Sequence, residues 1–166
     1  MTKFFKKTTP FILLISILSC FYTVYANVET DSPSYILMDK KSGRILLSKN
    51  ENDKRPMASV TKIMTLDIIL GEIHSGNLSL DDMVTASENS SKMGGSQIFL
   101  KANEKMNVDT MLKSIFVASA NDASVAMAEH ISGSVPAFVE KMNKKATDMG
   151  LENTLFQNPQ DRKSVV

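Results

Sequence analysis

The sequence is poor in residues that several common kinds of protein chemistry need. It has no tryptophan and a single cysteine, Cys20, so neither a disulfide framework nor a zinc site built from cysteines is expected. The formal net charge is +1, without the excess of lysine and arginine that marks nucleic-acid-binding proteins. No His, Cys or carboxylate spacing predicts a metal site, and there is no glycine-rich phosphate loop. We therefore expect no cofactor, no metal and no nucleic acid partner.

The sequence also has no apolar run long enough to span a membrane, and one short run, residues 11–18, follows three lysines. A basic segment, a short apolar segment and small residues before a cleavage point are typical of a secretory signal peptide. We predict that residues 1–26 are this signal peptide, cleaved after Ala26. Cleavage removes three of the 19 basic residues and none of the 18 acidic ones, leaving 16 against 18 and a net charge of −2. A lipoprotein signal at Cys20 is the alternative, but Leu18 is bulky for that role.

The rest of the chain is apolar enough for one domain with a core, since 43% of the sequence is hydrophobic. Two apolar segments, Tyr35–Met38 and Arg44–Leu47, flank a polar stretch that ends in Gly43. This pattern predicts a β-hairpin. Because both arms are continuously apolar, we expect strands covered on both faces.

The chain contains one Ser-x-x-Lys, from Ser59 to Lys62, at the start of an apolar pattern with helical spacing that fades near His74. Pro56 cannot lie inside this helix, so we expect the helix to begin close to Ser59. Residues i and i+3 share one helix face, which lets the Ser59 hydroxyl and the Lys62 amine approach each other. A neutral lysine could then activate the serine as a nucleophile. The other interpretation is a helix cap followed by a solvated lysine.

Two later helices are predicted on either side of a short polar break, residues 119–122, which reads Ser-Ala-Asn-Asp. Asn107 can cap the first helix, and the second should end near Gly133. The apolar face of the first consists of Met111, Leu112, Ile115 and Phe116. Polar residues between two buried helices can point into a cleft, although Asn121 or Asp122 could also serve only as a cap. A last helix is predicted from Ser134 to about Gly150.

A glycine pair, Gly94 and Gly95, lies between the first helix and these later ones. Paired glycines allow a positive φ or a close backbone approach, which a loop beside a cleft could use. A plain surface turn is the alternative interpretation.

These motifs together resemble the serine D-alanyl-D-alanine carboxypeptidases, which are the low-molecular-mass penicillin-binding proteins. The signature of that family is Ser-x-x-Lys, then Ser-x-Asn, then Lys-Thr-Gly. Ser59 to Lys62 and Ser119 to Asn121 match the first two, and the segments around Ile36–Asp39 and Gly94–Gln97 also match in order. The resemblance implies an α+β fold, an α/β sandwich of the β-lactamase/transpeptidase type. Residues 27–159 would form a partial domain of this type, comprising only the N-terminal hairpin and most of the helical lobe.

The resemblance implies a role for each matching residue. Ser59 would attack the carbonyl between the terminal D-alanines of a peptidoglycan stem peptide, and Lys62 would take its proton. Ser119 would relay a proton to the departing D-alanine, while Asn121 would bind Lys62 and the substrate. The Ser59 backbone N–H would be half of an oxyanion hole, and β-lactam antibiotics would acylate the same serine. The family also implies export to the outer face of the cytoplasmic membrane or the cell wall, with a C-terminal membrane anchor missing here.

The resemblance ends at Pro159. Residues 160–166 contain no Lys-Thr-Gly and end in Asp-Arg-Lys-Ser-Val-Val. We interpret them as an unrelated tail, and read-through into a sequencing adapter is our hypothesis for its source. Without the lysine for the substrate carboxylate and the second oxyanion donor, we expect the 166-residue chain itself to be inactive and to fold poorly.

Two other functions stay open from the residues. A class A-like serine β-lactamase uses the same scaffold but needs a downstream glutamate, and Ser-Ala-Asn in place of Ser-Asp-Asn argues against it. A non-catalytic penicillin-binding or wall-binding remnant would keep the motifs without turnover. A plain secreted structural domain leaves the ordered motifs unexplained.

Overall fold

A computed structural model describes residues 30–160. The predicted signal peptide, its cleavage site, Cys20 and residues 161–166 of the predicted tail lie outside these described residues. The chain divides into two compact units with a boundary after Glu51, and each is described by itself.

The first unit contains the predicted hairpin. Strands β1 (Tyr35–Met38) and β2 (Ile45–Lys49) pair antiparallel, with a register shift between Leu37 and Met38. The side chain and then the backbone N–H of Ser42 donate hydrogen bonds to Asp39, and these bonds lower the pKa of the Asp39 carboxyl. The hairpin is confirmed, but its expected cover is not found among the described residues. About half the surface of five apolar side chains is exposed: Ile36, Leu37, Met38, Ile45 and Leu46.

Residues 52–160 form the second, mainly helical unit, which begins with a 3₁₀ turn. Its remaining elements in chain order are α1 (Lys62–His74), β3 (Met83–Thr85), α2 (Glu88–Ser91), β4 (Lys105–Asn107), α3 (Val108–Ala118), α4 (Asn121–Ser132) and α5 (Val135–Asp148). Strands β3 and β4 pair antiparallel. The short helix α2 was not predicted, because four residues are too few to show helical periodicity.

The first predicted helix begins later than expected. Ala58–Thr61 is a 3₁₀ turn, and the α-helix starts only at Lys62. Residues i and i+3 are also aligned in a 3₁₀ helix, so the predicted approach of Ser59 and Lys62 survives this correction. Ala58 has φ 47, a left-handed conformation that is strained for a residue with a Cβ atom. The helix ends at His74, as predicted.

The later helices agree with their predicted bounds except at the start of α4, which begins at Asn121, inside the polar break predicted at residues 119–122. The Asn107 side chain accepts a hydrogen bond of 3.0 Å from the Thr110 backbone N–H and so caps α3. Gly133 ends α4 at φ 76, and Ser134 caps α5. The predicted apolar face of α3 is wrong at Phe116, which is 76% exposed, because the buried face centres on Val108, Met111 and Ile115.

Helix α4 is the centre of this unit, and eight of its residues in sequence, 121–128, are buried. Its residues Ala123, Ala126 and Met127 pack in one cluster with Ile69 of α1 and Ile115 of α3. Ala128 joins a second cluster with side chains of α1 and α5, including Phe138 and Met142. Small side chains on α4 let its neighbours approach closely, and this packing fixes the N-terminus of α4 relative to α1. No helix within residues 30–160 combines the length and apolarity that crossing a bilayer requires.

Candidate active site

The structure joins the Ser59 hydroxyl to the Lys62 amine. Lys62 Nζ lies 3.1 Å from Ser59 Oγ and donates a hydrogen bond to it. The two side chains differ in environment, because Ser59 is exposed while Lys62 is only 3% exposed. An accessible hydroxyl in hydrogen-bond contact with a buried amine is the arrangement that activation of a serine nucleophile requires.

The alternative interpretation of this motif, a helix cap and a solvated lysine, is wrong. Neither Met57, which precedes the 3₁₀ turn, nor Thr61, which precedes α1, makes a side-chain cap hydrogen bond, and Ser59 is not at a cap position. The lysine is buried rather than solvated.

A second chain segment packs over the same helix. Lys62 Nζ also donates to the backbone carbonyl of Gln160 at 2.8 Å, and the Thr65 hydroxyl donates to the carbonyl of Pro159 at 2.6 Å. The segment before it is held on α5, because the Asn143 side chain both donates to and accepts from the backbone of Phe156. Gln160, the first residue of the predicted tail, therefore contributes a backbone contact to the site.

Ser119 lies at the corner between α3 and α4. It ends α3 in the left-handed conformation, with φ 53 and ψ 38, and its side chain is half-buried. Its hydroxyl makes no hydrogen bond among the described residues, so the proton relay that the resemblance implies is not assembled here. Catalytic hydrogen bonds often form only once substrate is bound, so the role stays a prediction.

Asn121 is the first residue of α4 and is 6% exposed. Its side-chain Nδ2 donates to the Gly94 carbonyl at 2.7 Å, and its backbone N–H donates to the Ser96 carbonyl at 2.7 Å. Its Oδ1 is buried and has no hydrogen-bond partner within the described residues. The hydrogen bond to Lys62 that the resemblance implies is therefore not formed, and a buried acceptor is left ready for a donor. Asn121 is not the cap of α4, because Ala120 holds that position.

The two motifs are connected through the glycine loop. The Gln160 carbonyl accepts from Lys62, and the Gln160 side-chain Nε2 lies 3.7 Å from the sulfur of Met93. Gly94, the next residue along, binds the Asn121 side chain. A continuous series of contacts thus connects Lys62, whose amine contacts Ser59, with Asn121 in the Ser-Ala-Asn segment. The plain-turn interpretation of the glycine pair is wrong, since Gly95 has φ +82 and its backbone lies against Asn121.

Asp122 was predicted either to point into a cleft or to cap the following helix, and the structure shows a different set of contacts. This residue is fully buried, and its carboxylate accepts hydrogen bonds from the backbone N–H groups of Ile98, Leu100 and Ala123. The available signal was a carboxylate directly after the Ser-x-Asn motif, on a helix whose next six residues, 123–128, are all small or apolar.

Comparison with known proteins gives a consistent result. The sequence profile of the peptidase S11 family, described as D-alanyl-D-alanine carboxypeptidase, matches residues 22–162. The chain is 50% identical over 129 residues to the D-alanyl-D-alanine carboxypeptidase DacF of Bacillus subtilis, covering 78% of this chain and 33% of that protein. It is 41% identical over 134 residues to DacA of Haemophilus influenzae, covering 79% and 34%. The chain therefore spans about a third of the length of the curated relatives it matches.

Solved structures support the same fold. The D-alanyl-D-alanine carboxypeptidase DacD of Francisella tularensis superposes with a TM-score of 0.82 at 40% identity, covering 87% of this chain and 36% of that one. Penicillin-binding protein 5 of Haemophilus influenzae gives a TM-score of 0.81 at 37% identity, covering 84% and 42%. The predicted α+β fold of the β-lactamase/transpeptidase type is confirmed, and the β-lactamase and non-catalytic alternatives are not favoured. The chain belongs to the peptidase S11 family of serine D-alanyl-D-alanine carboxypeptidases.

Proposed function

We propose that the whole protein removes the terminal D-alanine from peptidoglycan stem peptides through an acyl-enzyme at Ser59. The observation that carries this proposal is the 3.1 Å hydrogen bond between a buried Lys62 amine and an exposed Ser59 hydroxyl. Membership of the carboxypeptidase family supports it, because the family's first two motifs fall on these residues and on the Ser119–Asn121 corner.

The proposed reaction begins with attack of Ser59 Oγ on the carbonyl carbon between the two D-alanines. Lys62, as a neutral amine, accepts the hydroxyl proton while the new C–O bond forms. The Ser59 backbone N–H supplies one donor to the developing oxyanion. The C–N bond then breaks, and Ser119 relays a proton to the amine of the departing D-alanine. Water releases the shortened peptide from Ser59.

Asn121 is the proposed substrate-binding residue. Its Oδ1 is a buried acceptor without a partner among the described residues, and one hydrogen of its Nδ2 is committed to the Gly94 carbonyl. An unpaired buried acceptor costs about 1–3 kcal/mol, so a bound peptide or the Lys62 amine gains from supplying the missing donor.

β-Lactam antibiotics are the second proposed class of ligand, since they would acylate Ser59 and leave slowly. Penicillin-binding proteins among the structural neighbours support this proposal.

The finer proposals concern the location of the protein and the organisation of its chain. Residues 1–26 would be a cleaved signal peptide, residues 27–159 part of the enzyme domain, and residues 160–166 an unrelated tail. The exported enzyme would act at the outer face of the cytoplasmic membrane, held there by a C-terminal anchor, in cell wall biogenesis and cell shape.

A labelling experiment tests the function. The whole protein is incubated with a fluorescent penicillin and, separately, with a stem pentapeptide, and adduct mass and D-alanine release are followed. We expect a long-lived adduct on Ser59, release of D-alanine, and loss of both in Ser59→Ala. Ser75→Ala, an exposed serine just after the same helix, is the matched control and should behave as wild type.

Other outcomes point to the alternatives. Rapid penicillin turnover without D-alanine release would favour a β-lactamase. A folded protein that fails to label would favour a non-catalytic binding remnant. The 166-residue chain tested beside the whole protein should neither label nor give a cooperative melting transition.

A further inference from the structure

We propose that Gly95 and Asp122 are positioning residues that set the orientation of the Asn121 side chain. They do so through residues 94–100, a segment we name the bracket, which lies against the N-terminus of α4. The proposal rests on the proposed function of Asn121 in substrate binding and adds to it the residues that make that function possible.

Asp122 attaches the bracket to α4. Its carboxylate is fully buried and accepts hydrogen bonds from the Ile98 N–H at 3.2 Å, the Leu100 N–H at 3.0 Å and the Ala123 N–H at 2.9 Å. A buried carboxylate is stable only when such donors replace water. Its place in the first turn of α4 adds the favourable field of the helix N-terminus. Two of the three donors belong to the bracket, so the charge of Asp122 fixes the bracket rather than the helix alone.

The bracket in turn fixes Asn121. The Ser96 carbonyl accepts from the Asn121 backbone N–H, and the Gly94 carbonyl accepts from Nδ2, each at 2.7 Å. A side-chain amide can rotate to exchange its oxygen and nitrogen positions, and only its hydrogen-bond partners decide which is favoured. Because a carbonyl oxygen accepts hydrogen bonds, the side-chain amide must place its NH₂ group, and not its oxygen, toward the Gly94 carbonyl. The bracket therefore leaves Oδ1 as the free buried acceptor.

Gly95 makes this close approach possible. A Cβ atom built at Gly95 would lie 2.8 Å from Asn121 Nδ2, and the residue has φ +82. An alanine there would have to displace the amide that the bracket holds. Gly133 has a comparable φ of +76 but nothing within 4 Å of its Cβ position. Comparison of Gly95 with Gly133 thus separates backbone strain, which an alanine would cause at both positions, from contact with Asn121, which it would make only at position 95.

The consequence is a loss of rate beyond what a general loss of stability would cause in the molecules that remain folded. A misplacement of about 1 Å in a catalytic arrangement costs roughly 10²-fold in rate. In Asp122→Asn, an NH₂ group would replace one acceptor oxygen and face a backbone N–H, which would release part of the bracket. We expect Gly95→Ala and Asp122→Asn to slow Ser59 acylation by about 10- to 10²-fold.

The test uses the whole protein and benzylpenicillin. The rate constant of Ser59 acylation at saturating benzylpenicillin is measured separately from the half-saturating concentration. Each rate constant is fitted to the time course of adduct formation, normalised to the fraction of molecules that finally react, so that unfolded molecules do not affect it. Gly133→Ala is the matched control for Gly95→Ala. Asp109→Asn, which changes a half-buried first-turn acid of α3 paired with Lys113, is the control for Asp122→Asn. Melting temperatures are recorded for all four variants.

A double-mutant cycle supplies the readout that a purely structural role would not move. If Gly95 acts through Asn121, Gly95→Ala should slow wild type but add little to Asn121→Ala, which lacks the displaced amide. Equal rates for Gly95→Ala and Gly133→Ala, or full additivity in the Asn121→Ala background, would overturn the positioning role while leaving the proposed function standing. An unlabelled wild type would overturn the proposed function itself, and this inference with it.

Discussion

Replacing Lys62 with methionine separates the proposed base from the packing of its side chain. Methionine keeps an unbranched chain of similar length and is at home in apolar surroundings, while Lys62 is only 3% exposed. The substitution removes the amine that contacts Ser59 Oγ at 3.1 Å and the Gln160 carbonyl at 2.8 Å. We expect Ser59 to keep its position but to lose its proposed proton acceptor.

We expect Lys62→Met to change the acylation rate more than the free energy of unfolding. Loss of a positioned general base costs about 10²–10⁴-fold in rate, which is roughly 3–5 kcal/mol of activation free energy at 1.36 kcal/mol per factor of ten. The Gln160 carbonyl loses one donor, a cost of about 1–3 kcal/mol if nothing replaces it. Removing a polar amine from a buried position offsets part of that cost. The net change in the free energy of unfolding should therefore be well below the change in activation free energy.

The assay follows acylation of the whole protein by a fluorescent penicillin over time, with thermal unfolding measured in parallel. Lys144→Met is the matched control, since Lys144 is 75% exposed on α5 and, within residues 30–160, its ion-pair partner is Asp148 one turn on. We expect the control to match wild type in both measurements. If Lys62→Met were acylated within threefold of the wild-type rate while remaining folded, Lys62 would not be the base and the reasoning from burial would fail.

Two further predictions concern stability. Phe138→Ala removes a fully buried ring from the cluster shared by α1, α4 and α5, and should lower the free energy of unfolding by about 3–5 kcal/mol in urea titrations; a loss under about 1 kcal/mol would contradict the packing described. Hydrogen bonds from Lys141, first, and Asn77 lower the pKa of Glu72. A lowered folded-state pKa adds stability above the unfolded value near 4.5, and this stability is lost as the pH falls through the folded value. Glu72→Gln should therefore be less stable than wild type at about pH 7, and the difference should shrink as the pH falls below 4.5 and through the folded-state pKa. A stability difference that does not change with pH would refute this.

Much of the site could be predicted because its signals are local. The spacing of Ser59 and Lys62, the Asn107 cap and the existence of a break after α3 depend on near neighbours in sequence, and the structure shows each of them, although the break is only residues 119 and 120. The start of α1 was misplaced by three residues because a 3₁₀ turn and an α-helix share the same i, i+3 alignment at their beginning. Roles for these residues remain predictions until the proposed assays are done.

Contacts between distant segments could not be predicted. The approach of the Gln160 carbonyl to Lys62 joins residues 98 positions apart, and no local pattern encodes it. The hydrogen bonds of Asp122 could not be predicted either, because two of their donors, the N–H groups of Ile98 and Leu100, belong to the bracket, which is distant in sequence. The glycine pair carried a partial signal, a permitted positive φ, but the atom that Gly95 approaches is visible only in three dimensions.

The contrast between an open hydroxyl and an enclosed amine has a practical consequence. The segment ending at Gln160 lies across α1 and contacts the amine, and an unfolded molecule holds both the hydroxyl and the amine in water, where they are no longer coupled. A covalent penicillin tag would then count native molecules rather than total protein. In a cell lysate, the ratio of tag to antibody signal would distinguish a variant that cannot react from one that has not folded.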